Sequence, residues 1–307
     1  MKRKLIVLTA FFALALSANA QQLANSTHIP EARTAWNPAF TATGSNIITD
    51  GFFRMQWLGF TGAPVSGFAS FQYPFARYNM SGGALLHFDK TGPVSKIGVQ
   101  LNYAYKLKKV LGRYSQLSLG ISGDFQQYSF NGSGQIFNDD GDALVNASRA
   151  SNFFPSLGGG FYYISNTREY KDNTFFIGAA ISQVLTTKVL VNDFDQERQK
   201  HIHFNVGGRF YGYDFFVEPM LTANLVKPDI IDVLYSLKYE MRDAFWAGLG
   251  YASSGMAAFQ GGVILDEFGG KDGNLRLGVL GNYGIKSSLS KTGPGLEFYV
   301  GYSSDIR

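Results

Sequence analysis

The sequence predicts an all-β protein, a transmembrane antiparallel up-and-down β-barrel of about 14 strands with a short N-terminal latch segment. Three observations predict it: stretches in which apolar and polar residues alternate, a composition rich in glycine and aromatic residues, and a leader typical of exported proteins. The 307 residues include 36 glycines, 27 phenylalanines and 17 tyrosines, and only 16% are charged. Short strands in lipid, with aromatic side chains at the interfaces, have this composition.

Alternation is clearest in residues 97–108, where every odd position from Ile97 to Leu107 is apolar and the even positions are small or polar. Residues 201–210 and 231–240 repeat the pattern. Because successive side chains of a strand point to opposite faces, one face of such a strand can meet lipid while the other lines a polar lumen. These segments are therefore interpreted as barrel strands.

Glycine, proline, asparagine and aspartate clusters separate the strands. The predicted strands lie near 47–59, 65–74, 80–90, 95–108, 113–130, 153–165, 173–184, 200–210, 213–222, 230–240, 243–252, 255–266, 273–283 and 293–304. The long connections 131–152 and 185–199 then lie outside the cell, and tight turns such as 211–212 lie inside. We expect the last strand to pair with the first, because an unpaired edge in lipid leaves backbone groups unsatisfied.

The N-terminus has the three parts of a signal peptide: basic residues 2–4, an apolar stretch from Leu5 to Leu16, and the small-x-small site Ala18-Asn19-Ala20. The apolar stretch is shorter than the roughly 20 residues of a membrane-spanning helix, which argues against an N-terminal anchor. The sequence therefore predicts cleavage near Ala20, a periplasmic or lumenal N-terminal segment over residues 21–46, and a barrel over residues 47–307.

Composition excludes several classes of function. The chain has no cysteine, so disulfides, thiol nucleophiles and cysteine–metal sites are absent. Without the three basic residues of the leader, 24 basic residues face 23 acidic ones, so the basic pI predicts no nucleic-acid partner. A soluble β-sandwich or jelly roll is the main alternative fold, but its outward faces would be more polar.

Candidates for chemistry are few. His201 and His203 share a strand face at a spacing that metal ligands can use, but no acidic third ligand lies nearby in sequence. His87 has Ser81 and Asp89 around it, which chance explains in serine-rich strands. The acidic loop 138–142 lacks the full calcium-loop pattern. We therefore expect no enzyme activity, no cofactor and no metal.

Several motifs occur in a fixed order along the mature chain. They are Ala35-Trp36-Asn37-Pro38-Ala39-Phe40, Arg54-Met55-Gln56-Trp57, Gly62-Ala63-Pro64, Asp89-Lys90-Thr91-Gly92-Pro93, Tyr103-Ala104-Tyr105 and Leu117-Ser118-Leu119-Gly120-Ile121. In this order and spacing they resemble the PorP/SprF family, outer-membrane proteins of Bacteroidetes associated with type IX secretion and gliding motility. The resemblance covers essentially the whole mature chain.

The resemblance implies a non-enzymatic outer-membrane protein that supports export or surface anchoring of a large secreted adhesin through its C-terminal sorting domain. It implies outer-membrane lipid and that secreted protein as partners, and it leaves room for contact with periplasmic ring or motor components of the type IX machinery. The alternative is a transport channel of the fatty-acid-porter type, which also has fourteen strands. Such a porter needs a substantial plug domain, whereas only about 26 mature residues precede residue 47 here.

The candidate partner-binding or lumen residues follow from these motifs and from the polar strand faces. They are Trp36, Asn37, Pro38, Phe40, Arg54, Gln56, Trp57, His201, His203 and Arg209. We expect Arg54 and Gln56 to point into the lumen, because an arginine facing lipid at mid-depth costs about 2–4 kcal/mol. Trp57 is expected on the opposite face near a membrane interface, and Pro38 should impose an extended or turned backbone at Asn37.

Overall fold

The computed structural model describes residues 31–131, 150–185, 188–191, 194–197, 199–227, 230–270, 272–286 and 293–306. The predicted signal peptide over residues 1–20, its cleavage site and the acidic loop 138–142 lie outside these ranges. Among the described residues, no helix has the length and hydropathy needed to cross a bilayer.

Sixteen strands and three short 3₁₀ helices make up the described secondary structure. The strands are β1 (Asn46–Met55), β2 (Val65–Phe75), β3 (Met80–Thr91), β4 (Val94–Lys108), β5 (Gln116–Phe130), β6 (Ala150–Ile164), β7 (Thr174–Ser182), β8 (Lys188–Val191), β9 (Phe194–Glu197), β10 (His201–Tyr211), β11 (Phe215–Lys227), β12 (Ile230–Met241), β13 (Phe245–Ala252), β14 (Met256–Asp266), β15 (Gly273–Gly284) and β16 (Gly295–Asp305). The 3₁₀ helices are Arg33–Ala35, Pro38–Phe40 and Ala76–Tyr78.

Fourteen of these strands form one closed antiparallel barrel, which confirms the predicted fold class and strand number. Each barrel strand pairs with its neighbours in sequence, except that β7 pairs with β10 across the small β8–β9 hairpin. The barrel closes where β1 pairs with β16, with Arg54 opposite Glu297, as the edge argument predicted. Closure leaves the barrel without a free edge in lipid.

The predicted apolar face of β4 points outward. Ile97, Val99, Leu101, Tyr103, Tyr105 and Leu107 are all exposed, whereas Asn102, Ala104 and Lys106 between them are buried. The same division holds on β10, where Ile202 is exposed and His203 is buried. A closed barrel with an outward apolar band is the architecture of outer-membrane proteins, so the chain spans that membrane with its strands.

The two ends of the barrel differ. β5 and β7 end and β6 and β10 begin at one end of the barrel, here called the loop rim, so the two longest connections, 131–149 and 183–200, join strands there. β1 begins and β16 ends at the other end, the turn rim. Some loop-rim connections are short, such as 92–93, and the turn-rim connection 165–173 has nine residues. The two longest connections therefore share a rim, but the difference between the rims is smaller than the sequence predicted.

The first strand ends four residues before its predicted end at residue 59. Trp57 adopts a left-handed backbone, with φ 53°, and its carbonyl accepts a hydrogen bond from the Phe60 amide. The Gln56 amide donates to the Pro64 carbonyl at 2.9 Å, so Gln56 and Trp57 belong to the loop-rim turn after β1. The predicted strand positions of Gln56 and Trp57 are therefore wrong, because this local turn interrupts the alternation that had been extended through them.

Candidate functional site

The lumen contains the chain's own N-terminal stretch, residues 31–45, here called the lumen segment. Ala32, Ala39, Thr41 and Ala42 in this segment are fully buried. Two 3₁₀ turns, Arg33–Ala35 and Pro38–Phe40, fold it compactly before β1 begins. Because few backbone partners exist inside such a turn, the lumen segment depends on side chains of the barrel wall for its hydrogen bonds.

Asn37 anchors the centre of the lumen segment. Its backbone is extended, with φ −135° and ψ 109°, as expected before Pro38, and its Oδ1 caps the second 3₁₀ turn by accepting from the Ala39 amide at 2.9 Å. Its Nδ2 donates to the carbonyl oxygens of Phe161 at 3.0 Å and Ala179 at 3.4 Å. One side chain thus fixes the turn and ties it to β6 and β7.

Glycines of the wall make space for this contact. A Cβ atom at Gly120 would lie 2.2 Å from the Ala39 nitrogen and 2.5 Å from the Pro38 carbonyl carbon. A Cβ atom at Gly160 would lie 2.5 Å from Asn37 Oδ1. The lumen segment therefore sits directly on the backbone of β5 and β6, where only glycine allows the close approach.

Aromatic side chains at the two ends of the motif pack in two different apolar clusters. Trp36 packs against Phe52 and Phe68, with both ring-centroid distances 6.4 Å, in an apolar cluster beside β1 and β2. Phe40 packs on Tyr162 of β6, with a centroid distance of 4.0 Å, in a second cluster. Aromatic pairs contribute about 0.5–1.5 kcal/mol beyond the area they bury, so both clusters help to hold the lumen segment in place.

The first ion cluster joins the lumen segment to β10 and β11. Glu218 is completely buried, and its carboxylate accepts hydrogen bonds from Arg33, with an N–O distance of 2.5 Å, and from Arg209. Lys238 lies directly opposite Glu218 in the pairing of β11 with β12. The Arg33 guanidinium also lies 4.7 Å from the centroid of Phe176. Removing one partner of a buried ion pair is destabilising, so the Arg33–Glu218 pair links the segment to the wall.

A second ion cluster lies beside the first and joins the lumen segment to β12 and β15. Lys238 donates to Glu31 of the lumen segment at 2.9 Å and to Glu240 at 3.0 Å. Arg276 on β15 pairs with both oxygens of Glu240, one contact being 3.2 Å. The cluster contains two cations and two carboxylates, so the charges of the segment and the wall balance here.

Polar wall side chains also satisfy the backbone of the segment after Phe40. Gln72 Oε1 accepts from the Ala42 amide at 2.8 Å, and Ser81 donates to the Thr41 carbonyl at 2.5 Å. Lys106 donates to the carbonyls of Ala42 and of Gly44, the latter at 3.1 Å. Inward polar residues of β2, β3 and β4 therefore provide hydrogen-bond partners for the backbone of the lumen segment.

The turn 165–173 covers the first ion cluster from the turn rim. Glu169 approaches Arg209 at 3.6 Å, and Tyr170 packs on Tyr211 with a centroid distance of 5.1 Å. Burial, followed by the nearby carboxylates of Glu240 and Glu169, raises the pKa of Tyr170 to about 12. The phenol thus stays neutral at physiological pH and packs as an aromatic cover.

The structure brings together most of the sequence-predicted residues. Trp36, Asn37, Pro38 and Phe40 lie in the lumen segment, Arg209 lies in the first ion cluster, and His203 faces Trp36 and Asn37 across a pocket. Arg54 points inward and pairs with Glu297 at 3.1 Å. His201 stacks with His203 at 6.5 Å, whereas Gln56 and Trp57 lie in the loop-rim turn, away from this group.

Sequence reasoning missed the wall residues that hold the lumen segment. These are Gln72, Lys106, Glu218, Lys238, Glu240 and Arg276. The available signal was a charged or amide side chain at an inward position of an alternating strand. His87 also has a different partner from those considered, because its Nε2 lies 2.9 Å from Oδ1 of Asp124 on β5. In the described ranges, no three His, Cys, Asp or Glu side chains gather as a metal site would require.

Replacing Asn37 with alanine should lower the free energy of unfolding by about 2 kcal/mol, because it removes the cap of the 3₁₀ turn and both donations to the wall. Urea unfolding of the barrel in lipid vesicles measures this. Asn37→Asp separates the two roles, since the carboxylate can still cap Ala39 but cannot donate to Phe161 and Ala179. An aspartate variant as stable as the wild type would mean that the wall contacts contribute nothing.

The sequence matches the family of the type IX secretion system membrane protein PorP/SprF over residues 18–302, nearly its full length. The chain belongs to the PorP/SprF family. The resemblance drawn from the N-terminal and strand motifs is thereby confirmed, and the family makes this a secretion-associated outer-membrane barrel. Among curated proteins, none matches the PorP/SprF chain significantly.

Several solved structures are similar in fold to this PorP/SprF barrel. The CymD monoaromatic hydrocarbon channel has a TM-score of 0.56 and 11% identity, covering 90% of this chain and 93% of CymD. The toluene transporter TbuX of Ralstonia pickettii has a TM-score of 0.54 and 12% identity, covering 90% and 94%. A FadL homologue of Pseudomonas aeruginosa has a TM-score of 0.51 and 9% identity, covering 88% and 93%. At these identities the likeness concerns the fold alone.

Proposed function

We propose that this PorP/SprF barrel is a non-enzymatic accessory protein of type IX secretion that supports export or surface anchoring of a large secreted adhesin through its C-terminal sorting domain. The observation that carries the proposal is the occupied lumen. Ion pairs and hydrogen bonds tie the lumen segment to β2, β3, β4, β6, β7, β11 and β12, which favours a closed support over an open diffusion channel. Family membership supplies the secretion system in which this support would act.

The second candidate is a transport channel of the fatty-acid-porter type. The likeness of the barrel to hydrocarbon channels favours it, but at 9–12% identity that likeness extends only to the fold. Charged residues of the lumen segment and the wall pair with each other across the route a solute would take. We therefore favour the accessory role, and conductance separates the two candidates.

The proposed role places contacts at both rims. The long loop-rim connections 131–149 and 183–200 are the largest candidate surfaces for a secreted protein outside the cell. The turn rim would face periplasmic ring or motor components, since short turns of such barrels lie on the periplasmic side. Cleavage of the leader near Ala20 would free the lumen segment to enter the barrel, and gliding motility would follow where the exported adhesin serves it.

Affinity purification from outer membranes tests this function. A tag on the mature chain should recover a large surface protein, and removal of that protein's C-terminal domain should abolish the recovery. The matched control is an unrelated barrel with the same tag and expression level. Recovery of neither a C-terminal domain nor periplasmic ring components above this control would overturn the accessory role.

A further inference from the structure

Charge is divided between two opposite sides of the turn rim. The connections on one side, residues 75–79 and 108–115, here called the basic arc, contain four cations and no carboxylate. The connections across the barrel, residues 212–214, 242–244 and 266–272, here called the acidic arc, contain five carboxylates and two cations. The cations of the basic arc are Arg77, Lys108, Lys109 and Arg113.

The protein itself does not neutralise the basic arc. All four of its cations are exposed, and none of them forms an ion pair with a carboxylate in the part of the chain that the structure describes. Other cations of the same rim are paired: Arg168 with Asp172, and Arg242 with Asp243 at 3.3 Å. Neighbouring like charges repel, so the basic arc favours an anionic counterpart from outside the chain.

The basic arc is an ordered surface. The Lys109 amide donates to the Ser115 carbonyl at 2.7 Å, and the Leu111 amide donates to Ser115 Oγ at 3.2 Å. The Thr167 amide donates to the Tyr114 carbonyl at 2.9 Å, which ties this turn to the next one along the rim. The backbone therefore holds the cations of residues 108–113 close together before any partner binds.

The position of the cations points to lipid. Phe75 and Leu107 face outward near the ends of β2 and β4, and they are 48% and 37% exposed. Arg77 and Lys109 each follow two residues later, so they lie where the outward apolar band ends. Long basic side chains lay their apolar stems along such a band and keep the charge at the level of the headgroups.

We propose that the basic arc binds the headgroups of anionic phospholipids in the leaflet at the turn rim. Each lysine or arginine near an anionic lipid surface adds to the attraction, whereas the carboxylates of the acidic arc repel the same headgroups. Val110 and Leu111, the latter 79% exposed, supply aliphatic contact at the tip of the turn. The inference concerns the lipid around the barrel and holds whether or not the barrel acts in secretion.

Tryptophan reporters on the lipid-facing surface measure this binding. Leu107→Trp places a reporter beside the basic arc, and Phe245→Trp places one beside the acidic arc. Both variants keep Trp36, Trp57 and Trp246, so the background fluorescence is shared. The full-length mature chain is reconstituted in phosphatidylcholine vesicles that contain brominated phosphatidylglycerol or brominated phosphatidylcholine, whose quenching of the reporter gives their relative affinity.

We expect phosphatidylglycerol to bind about fivefold more tightly than phosphatidylcholine beside Leu107→Trp, and no more tightly beside Phe245→Trp. High salt should reduce the preference, because it screens exposed charges. Both leaflets have the same composition, so the result does not depend on the direction of insertion. Leu117→Trp, on the neighbouring strand β5, replaces Leu107→Trp if that variant does not fold.

The double variant Lys108→Gln/Lys109→Gln, made with the Leu107→Trp reporter, tests the cations themselves. It should lower the preference for phosphatidylglycerol to about twofold or less. Lys90→Gln/Lys286→Gln is the matched control, since it removes the same charge from exposed residues at the loop rim. This control should leave the preference unchanged.

Three results would overturn the proposal. One is equal preference for phosphatidylglycerol at the two reporters, which would instead favour a soluble acidic protein as the partner of the basic arc. Another is an unchanged preference in Lys108→Gln/Lys109→Gln. The third is the same loss of preference in Lys90→Gln/Lys286→Gln, which would assign the effect to the net charge of the protein.

Discussion

Replacing Gly120 with alanine is expected to open the barrel to ions. The wild-type protein should show no appreciable conductance in planar bilayers, because the lumen segment lies inside the barrel and is tied to strands on both sides of it. The added Cβ atom would lie 2.2 Å from the Ala39 nitrogen and 2.5 Å from the Pro38 carbonyl carbon, and neither backbone atom can move without displacing the 3₁₀ turn. Overpacking typically costs about 1–3 kcal/mol, which corresponds to a rise of roughly fivefold to 150-fold in the open fraction.

Gly281→Ala is the matched control for this measurement. Gly281 is also a strand glycine, but a Cβ atom there would have no neighbour within 4 Å. Both variants change the unfolded chain in the same way, so a difference between them reports on the lumen segment. If Gly120→Ala conducts no more than Gly281→Ala, the contact at Ala39 does not close the barrel. A stable pore of porin size in the wild type would instead favour the channel function.

Replacing Glu218 with leucine is expected to be the most destabilising single change in the lumen. Glu218 is fully buried and is the shared partner of Arg33 and Arg209. Without it, two guanidinium groups lie close together with Lys238 opposite, and breaking a buried ion pair by removing one partner costs about 3–5 kcal/mol. Urea unfolding in lipid vesicles should show this loss, and protease should cleave the lumen segment more readily.

Arg33→Met provides the comparison, because it leaves Glu218 paired with Arg209. We expect a loss of about 1.5–3 kcal/mol, the range for a hydrogen bond to a charged group. In the double variant Arg33→Met/Glu218→Leu, Arg209 keeps its contact with Glu169, so the combined loss should be smaller than the sum of the two. Additive losses would show that Arg33 and Glu218 do not interact, and a loss below about 1 kcal/mol for Glu218→Leu would contradict the buried-pair argument.

The two parts of the lumen differ in how much of them the sequence could predict. Trp36, Asn37, Pro38 and Phe40 stood out as a motif because they are adjacent in the chain. Their partners did not, because Arg33 and Glu218 are 185 residues apart and Asn37 and Ala179 are 142 residues apart. Alternation can place a side chain on the inward face of a strand, but it does not show which inward residues meet across the lumen.

The turn after β1 shows that the sequence pattern also failed to predict where a strand ends. Alternation through Arg54, Met55, Gln56 and Trp57 continues as if the strand did, yet Trp57 is left-handed and Gln56 bonds to Pro64. A period of two cannot distinguish the last strand residues from an extended turn that follows them. The end of β1 depends on contacts of the turn, such as the bond from the Leu58 amide to the Pro294 carbonyl.

The sequence by itself determined that this protein is a fourteen-stranded barrel with an outward apolar band, because strand period and turn residues are local properties that repeat along the chain. Its family also followed from motifs read in order. Only the tertiary structure decided that residues 31–45 are inside the lumen, that Gly120 and Gly160 form the surface on which they lie, and that Glu218 joins them to the wall. These contacts exist only after β1 meets β16, because closure alone brings distant inward side chains within reach of one another.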